Sequence, residues 1–246
     1  MKKIVVFDKD DTITKAKCKI DENMANLLSK LIRKYKVAVI TGWSFENIKE
    51  QIVDKMPDTT NFSNFFLFPT IWTQMFYFDE GKYVRKYAEF LSDDEVSYIF
   101  DVFNKALKEL NLIPEKVWWE ILENRWSQVT YSGLGQKAPL EEKKKFDPDK
   151  KIRQKIVDYV KNYLKDYSIW IAGTTSIDVT RKWLDKAYGI KKIMENLWLK
   201  KEEILFVWDA IFPGWNDYPV KEFWVDCIQV RNPDDTKLVI ETLLKV

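Results

Sequence analysis

Lys2-Lys3-Ile4-Val5-Val6-Phe7-Asp8-Lys9-Asp10-Asp11-Thr12-Ile13-Thr14 runs from an apolar stretch of strand length straight into three acids, Asp8, Asp10 and Asp11. A strand buried on both faces, as in a parallel sheet, reads as such an unbroken apolar run. Open α/β sheets carry their sites at the carboxyl ends of strands, which is where these acids fall. Carboxylates packed this closely repel one another unless a cation lies among them, and a hard metal ion is the natural partner. From these residues alone the plain alternative is a strand followed by an acidic surface turn.

Outward from this stretch the pattern repeats. Asp21 is placed to cap a helix from about Glu22 to Tyr35, with Met24, Leu27, Leu28, Leu31 and Ile32 on one face. Val37 to Ile40 reads as a second buried strand, ending at Thr41-Gly42-Trp43-Ser44, and Ser44 opens another helix. Phe65 to Phe68 and Met75 to Phe78 read as further strands. This β-α-β-α rhythm predicts a doubly wound parallel sheet. From about Gly81 the texture changes. A helix from Asp93 to Leu110, segments at Val117–Leu122 and Ser127–Tyr131, a polar loop, a helix from Lys150 to Leu164 and strands near Ile169 and Ile177 suggest a separate α+β module. From Asp185 the first texture returns, with strands at Ile204–Val207 and Val225–Val230 and a last helix from Asp234. The expected fold is an α/β, Rossmann-like core of residues 1–80 and 184–246 with an α+β domain, 81–183, inserted into it.

Composition narrows the chemistry. The 246 residues carry 40 basic and 38 acidic side chains, a net charge of +2, so no strong field draws the chain to nucleic acid or membrane. No signal peptide and no bilayer-length apolar run is evident, which makes a cytoplasmic, soluble protein the expectation. Two cysteines, Cys18 and Cys227, make no disulfide framework. The absence of histidine excludes Ser-His-Asp and Cys-His catalysis and the usual zinc sites with histidine ligands. Carboxylates, lysine, hydroxyls and a metal are what remains.

Four pieces then stand at sheet ends in chain order: Asp8-Lys9-Asp10-Asp11-Thr12, Thr41, Lys186, and Asp209 followed by Gly214, Asn216 and Asp217. Taken singly, Thr41 reads as a strand-end cap and Lys186 as a surface lysine. Together, in this order, the chain resembles the haloacid-dehalogenase-type phosphohydrolases, and within them the branch with an α+β cap that includes the eukaryotic phosphomannomutases. The DxDGT-like motif appears as Asp8-Lys9-Asp10-Asp11-Thr12 and the GDxxxxGGND-like motif as Trp208-Asp209-Ala210-Ile211-Phe212-Pro213-Gly214-Trp215-Asn216-Asp217. Gly173 to Thr180 and Asp185-Lys186 are similar to that branch's cap and lysine motifs.

The resemblance implies a nucleophile, Asp8, that forms an aspartyl-phosphate, and an acid/base, Asp10. It implies Mg²⁺ held by Asp8, the backbone carbonyl of Asp10 and Asp209, with Asp217 in support. Thr41 and Lys186 would bind the phosphoryl oxygens, and Arg125, Ser176 and Asp178 the sugar phosphate. The mutases carry further cap arginines, but here Gln136 follows Gly135 and Leu140–Lys145 offers only lysines. Guanidinium forks grip phosphate bidentately and glutamine cannot, so hydrolysis is favoured over isomerisation. The expected partner is a small-molecule sugar phosphate; a homodimer is left open. Asp11 stands where glycine is usual and adds a negative charge beside the metal position.

Glycine and tryptophan are out of proportion, with 7 Gly against 11 Trp. Ordinary usage is ~7% glycine, or roughly 17 residues in a chain of this length. Trp43, Trp72, Trp119, Trp126, Trp183, Trp198, Trp208, Trp215 and Trp224 fall where the resembled family generally has glycine; Trp118 and Trp170 do not. Some bacterial lineages read UGA as glycine, and those nine exchanges would raise the glycine count from 7 to 16. The alternatives are a natural aromatic-rich protein or an engineered variant. If the tryptophans are genuine, a non-catalytic binding protein on the same fold gains weight.

Overall fold

The computed structural model describes the chain except for residues 17, 183, 185 and 210–224; at 71, 186 and 187 it describes the backbone alone. The chain divides into two compact units, Met1–Ala88 with Asp185–Val246, and Glu89–Leu184.

The first unit opens with β1 (Ile4–Asp8), α1 (Glu22–Ile32), β2 (Lys36–Ile40), α2 (Phe45–Gln51), β3 (Phe65–Phe68), a short α3 (Pro69–Trp72), β4 (Gln74–Asp79) and β5 (Lys82–Ala88). Asp21 and Ser44 cap α1 and α2 by accepting from the backbone N–H groups of Met24 and Asn47. After the second unit the chain returns as α7 (Lys186–Leu197), β10 (Ile204–Trp208), β11 (Asp226–Gln229) and α8 (Pro233–Lys245). Seven strands form one sheet in the order β11-β10-β1-β2-β3-β4-β5. The run from β11 to β3 is parallel, and β4 and β5 add antiparallel. Alternate residues Val5, Phe7, Val37, Val39, Leu205 and Val207 build the core together with Met24, Leu28 and Leu31 of α1 and Ile240 of α8. The chain leaves β1 toward β2 and comes back on its other side as β10, so β1 and β10 flank the topological switch point.

The second unit contains α4 (Asp93–Glu109), β6 (Leu122–Asn124), β7 (Val129–Ser132), α5 (Leu140–Phe146), α6 (Lys151–Val160), β8 (Tyr167–Ala172) and β9 (Ser176–Arg181). Its four strands are ordered β6-β7-β9-β8, all antiparallel. Leu122, Val129, Tyr131, Ile177 and Val179 pack with Ile99, Phe103 and Leu107 of α4 and Ile156, Val157 and Val160 of α6. The intervening positions Thr130, Ser132, Asp178 and Thr180 give the sheet a polar second face.

Several sequence expectations are corrected. The first unit's sheet runs on to Ala88, past the boundary expected near residue 80, because β5 pairs with β4 from Lys82 to Ala88. Val117–Ile121 is not strand: Val117 and Trp119 are exposed, and the Trp118 N–H bonds the Leu134 carbonyl instead of a ladder. The polar loop holds α5. Lys150, at a left-handed φ of 61°, precedes α6 as its N-cap instead of joining the helix.

Candidate functional site

Parallel pairing of β1 with β10 sets Phe7 opposite Val207, so Asp8 closes β1 beside the strand whose next residue is Asp209. Neighbouring strands lie about 4.8 Å apart, which brings these two carboxylate-bearing positions to one sheet end. Past Asp8 the chain folds tightly. The Ile13 and Thr14 N–H groups both bond the Lys9 carbonyl, at 3.0 and 3.3 Å. Asp11 takes a left-handed φ of 54° inside that turn, which explains why glycine suits the position and why aspartate is tolerated. Its carboxylate accepts from the Ala16 N–H at 3.1 Å.

Lys9 is fully buried, and its Nζ donates to Asp10 Oδ1 at 2.9 Å. Trp43 Nε1 donates to Asp10 Oδ2 at 2.6 Å, so both carboxylate oxygens of Asp10 are engaged. Thr12, also buried, donates to Asp209 Oδ1 at 3.5 Å, while its own carbonyl accepts from Thr236 Oγ1 of α8 at 2.6 Å. Thr41 follows β2: its N–H bonds the Phe68 carbonyl at 3.1 Å, and its hydroxyl oxygen accepts from the Trp43 N–H at 3.3 Å. The structure thus gathers Asp8, Asp10, Thr41 and Asp209 at the carboxyl end of the parallel strands. Lys186 begins α7, described by its backbone alone, and Asp217 lies outside the described residues.

The donor set suits Mg²⁺. Among the described residues no three His, Cys, Asp or Glu side chains form a ready metal cage. Mg²⁺ does not need one, since it commonly takes one or two carboxylates and keeps several waters. Asp8 and Asp209 on adjacent strands, with the backbone at Asp10, supply hard oxygen donors of that kind.

In the second unit the positions flagged from sequence lie on or beside the polar sheet face. Asp178 of β9 pairs with Thr130 of β7, and the Thr130 hydroxyl donates to it at 2.8 Å. Burial pushes the Asp178 carboxyl above the usual carboxylate range, opposed by the Thr130 hydrogen bond and the charge of Arg125. Arg125, just after β6, donates from Nε and Nη2 to Glu123 Oε2 at 3.1 and 2.8 Å. Ser176 pairs with Ser132 at the other end of the ladder. The remaining guanidiniums of this unit are occupied: Arg153 is buried against Asp147 at 2.8 Å, and Arg181 forks onto Glu95. Lys9, Trp43, Thr12, Glu123 and Thr130 were not singled out as contacts by sequence reasoning. The alternation Gln128-Val129-Thr130-Tyr131-Ser132 was the available signal for the polar face.

Residues 24–246 match the family described as eukaryotic phosphomannomutase. The chain belongs to that family. It is 28% identical over 250 residues to a phosphomannomutase of Encephalitozoon cuniculi, covering 99% of this chain and 94% of that one. It is 27% identical over 246 residues to phosphomannomutase 2 of Dictyostelium discoideum, with 96% and 94% covered. In fold it is similar to a haloacid dehalogenase-like hydrolase from Bacteroides thetaiotaomicron, with a TM-score of 0.62 at 12% identity over 99% of this chain and 100% of that one. This family member is an enzyme of the phosphotransferase or phosphohydrolase class, built on a haloacid-dehalogenase-like core with an inserted cap. Among the described residues no helix is long and apolar enough to cross a membrane.

Proposed function

We propose that the chain hydrolyses a phosphorylated sugar through an aspartyl-phosphate on Asp8. The observation that carries this reading is the convergence of Asp8 and Asp209 at the switch point, with Asp10 held two residues beyond Asp8. An Asp8 carboxylate oxygen attacks phosphorus, and the bond from phosphorus to the sugar oxygen breaks. Asp10 gives that oxygen its proton, then takes a proton from the water that attacks the phosphoryl group and frees phosphate and Asp8. Thr41 and Lys186 are assigned to the phosphoryl oxygens, and Arg125, Ser176 and Asp178 to the sugar phosphate. Held by Asp8, the Asp10 backbone carbonyl and Asp209, with Asp217 in support, Mg²⁺ would supply charge neutralisation for the transferring group.

Hydrolysis is favoured over isomerisation because the other two guanidiniums described in the cap, Arg153 and Arg181, already hold carboxylates, which leaves Arg125 alone among them for a distal phosphate. A mutase must retain a doubly phosphorylated sugar while it turns over, which calls for a strong distal grip. The second reading, a sugar phosphomutase, draws on the near full-length likeness to phosphomannomutases. One assay separates them: free phosphate against isomerised hexose phosphate, with Mg²⁺ present or chelated and with or without a hexose bisphosphate. Phosphate release that needs Mg²⁺ and is abolished by Asp8→Asn is expected. Isomerised product outrunning phosphate in the presence of bisphosphate would decide for the mutase.

A further inference from the structure

Three of the tryptophans stand in backbone geometry that an L-residue with a large side chain rarely adopts. Trp72, Trp126 and Trp198 have φ of 54°, 69° and 54°. Trp118 and Trp170, the two outside the anomalous set, are not among the positive-φ residues. Elsewhere the chain meets this geometry with Gly81, Gly135 and Gly173, with asparagine or aspartate at Asn111 and Asp11, and with Thr70, Glu80 and Lys150. Glycine, asparagine and aspartate are the types that tolerate it best, and none of these positions carries a side chain as large as an indole.

The local motifs are equally specific. Trp198 follows α7, and the Leu199 N–H bonds the Met194 carbonyl at 3.0 Å. This six-residue closure makes Trp198 the C′ residue of a Schellman motif, the position most often filled by glycine. The same closure ends α4, where the Leu112 N–H bonds the Leu107 carbonyl at 2.9 Å and the C′ residue is Asn111. Trp126 sits where the Ser127 N–H bonds the Arg125 carbonyl at 2.8 Å, a γ-turn of the strained positive-φ kind. Neither side chain gains burial in return, since Trp198 is 91% and Trp126 64% exposed.

Two more tryptophans sit awkwardly at the candidate site. Trp208 is wholly buried immediately before Asp209, and its indole Nε1 has no hydrogen-bond partner among the described residues. Trp43 holds one oxygen of Asp10, the group that has to release and take up a proton.

We infer that the protein its host makes carries glycine at Trp43, Trp72, Trp126, Trp198, Trp208 and the other anomalous tryptophans, because that host reads UGA as glycine. Trp118 and Trp170 remain tryptophan, encoded by UGG. At Trp183, Trp215 and Trp224, outside the described residues, the assignment follows from the common codon. Glycine relieves the two exposed turns and releases the Trp43 clamp on Asp10, so one decoding rule accounts for backbone, core and site together.

Peptide mass spectrometry of the protein purified from its host, read beside the codons of its gene, tests this without reference to activity. UGA at the anomalous positions with glycine masses across 126, 198 and 208, and tryptophan masses across 118 and 170, is the expected result. Tryptophan masses at 126 and 198, or UGG codons there, overturn it. A second arm uses protein made with tryptophan throughout: Trp126→Gly with Trp198→Gly raises the thermal midpoint by several degrees, while Trp170→Gly in strand β8 lowers it. A lower midpoint for the pair would mean that those indoles stabilise their turns, and would overturn the inference.

Discussion

Arg125 shows how much one side chain is asked to do. Its guanidinium neutralises Glu123 and faces the half-buried Asp178, whose carboxyl is pushed above the usual range by desolvation. Truncating it in Arg125→Ala removes a planar fork suited to phosphate and leaves Glu123 without that partner. A charged hydrogen bond contributes about 1.5–3 kcal/mol, which translates to roughly a 10- to 100-fold change. The expected outcome is a KM for the sugar phosphate raised by that factor, with kcat changed little, because Arg125 is assigned to binding and not to chemistry. A fall in kcat at constant KM would move Arg125 into the reacting group. At this scale the sequence showed residue types and spacing but not partners. Asp8, Asp10 and Asp209 were legible because strand ends in a parallel sheet converge wherever the connections lead. The Lys9 and Trp43 contacts to Asp10 were not, since they depend on how a turn of six residues coils back on β1.

Among the elements, α4 begins with the most complete local signature in the chain. Ser92 and Glu95 form a reciprocal capping box, and the Glu95 side chain also receives the fork of Arg181 from β9. That guanidinium is the largest influence on Glu95, whose pKa falls to about 2. A folded pKa below the unfolded value means that the unfolded state binds more protons between the two. The stabilisation is therefore present above about pH 4.3 and lost as pH falls toward 2. Glu95→Gln should lower the thermal midpoint at pH 7, and the gap to the unaltered protein should close between pH 4.5 and 2. A gap that persists at pH 2 would show that packing, not charge, is what the substitution removes. Helix starts of this kind are readable because the cap and its partner lie three residues apart. Strand β5 was not readable, because Tyr83-Val84-Arg85-Lys86-Tyr87 lacks a clean apolar alternation and is recruited by pairing with β4. The α5 turn within the polar loop escaped for a similar reason: Glu141–Lys145 carries no apolar stripe, and intrinsic helix propensity with i,i+3 ion pairs decides there.

Over the whole molecule, the division of the chain carries its own consequence for stability. Each unit has a separate apolar core, one built around β1, β2 and β10 and the other around α4, α6 and the smaller sheet. The smaller unit also contains a buried ion pair of the kind that is costly to break. Arg153 and Asp147 have side chains 2% and 1% exposed. Arg153 Nη1 also holds the carbonyls of Ala172 and Gly173 at 3.2 and 2.9 Å, so the guanidinium fixes the β8–β9 connection to the start of α6. Removing one member of such a pair strands the other charge and costs about 3–5 kcal/mol. A domain of this size has total stability of the same order, about 5–15 kcal/mol, so the loss is large enough to read. With cores this separate, Arg153→Ala should act on one unit alone. Hydrogen exchange is expected to show peptides within Glu89–Leu184 losing protection while those covering β1, β2 and β10 keep theirs. If protection falls equally in both units, the two cores unfold as one cooperative block, and the insertion would have to be treated as part of the sheet domain it interrupts.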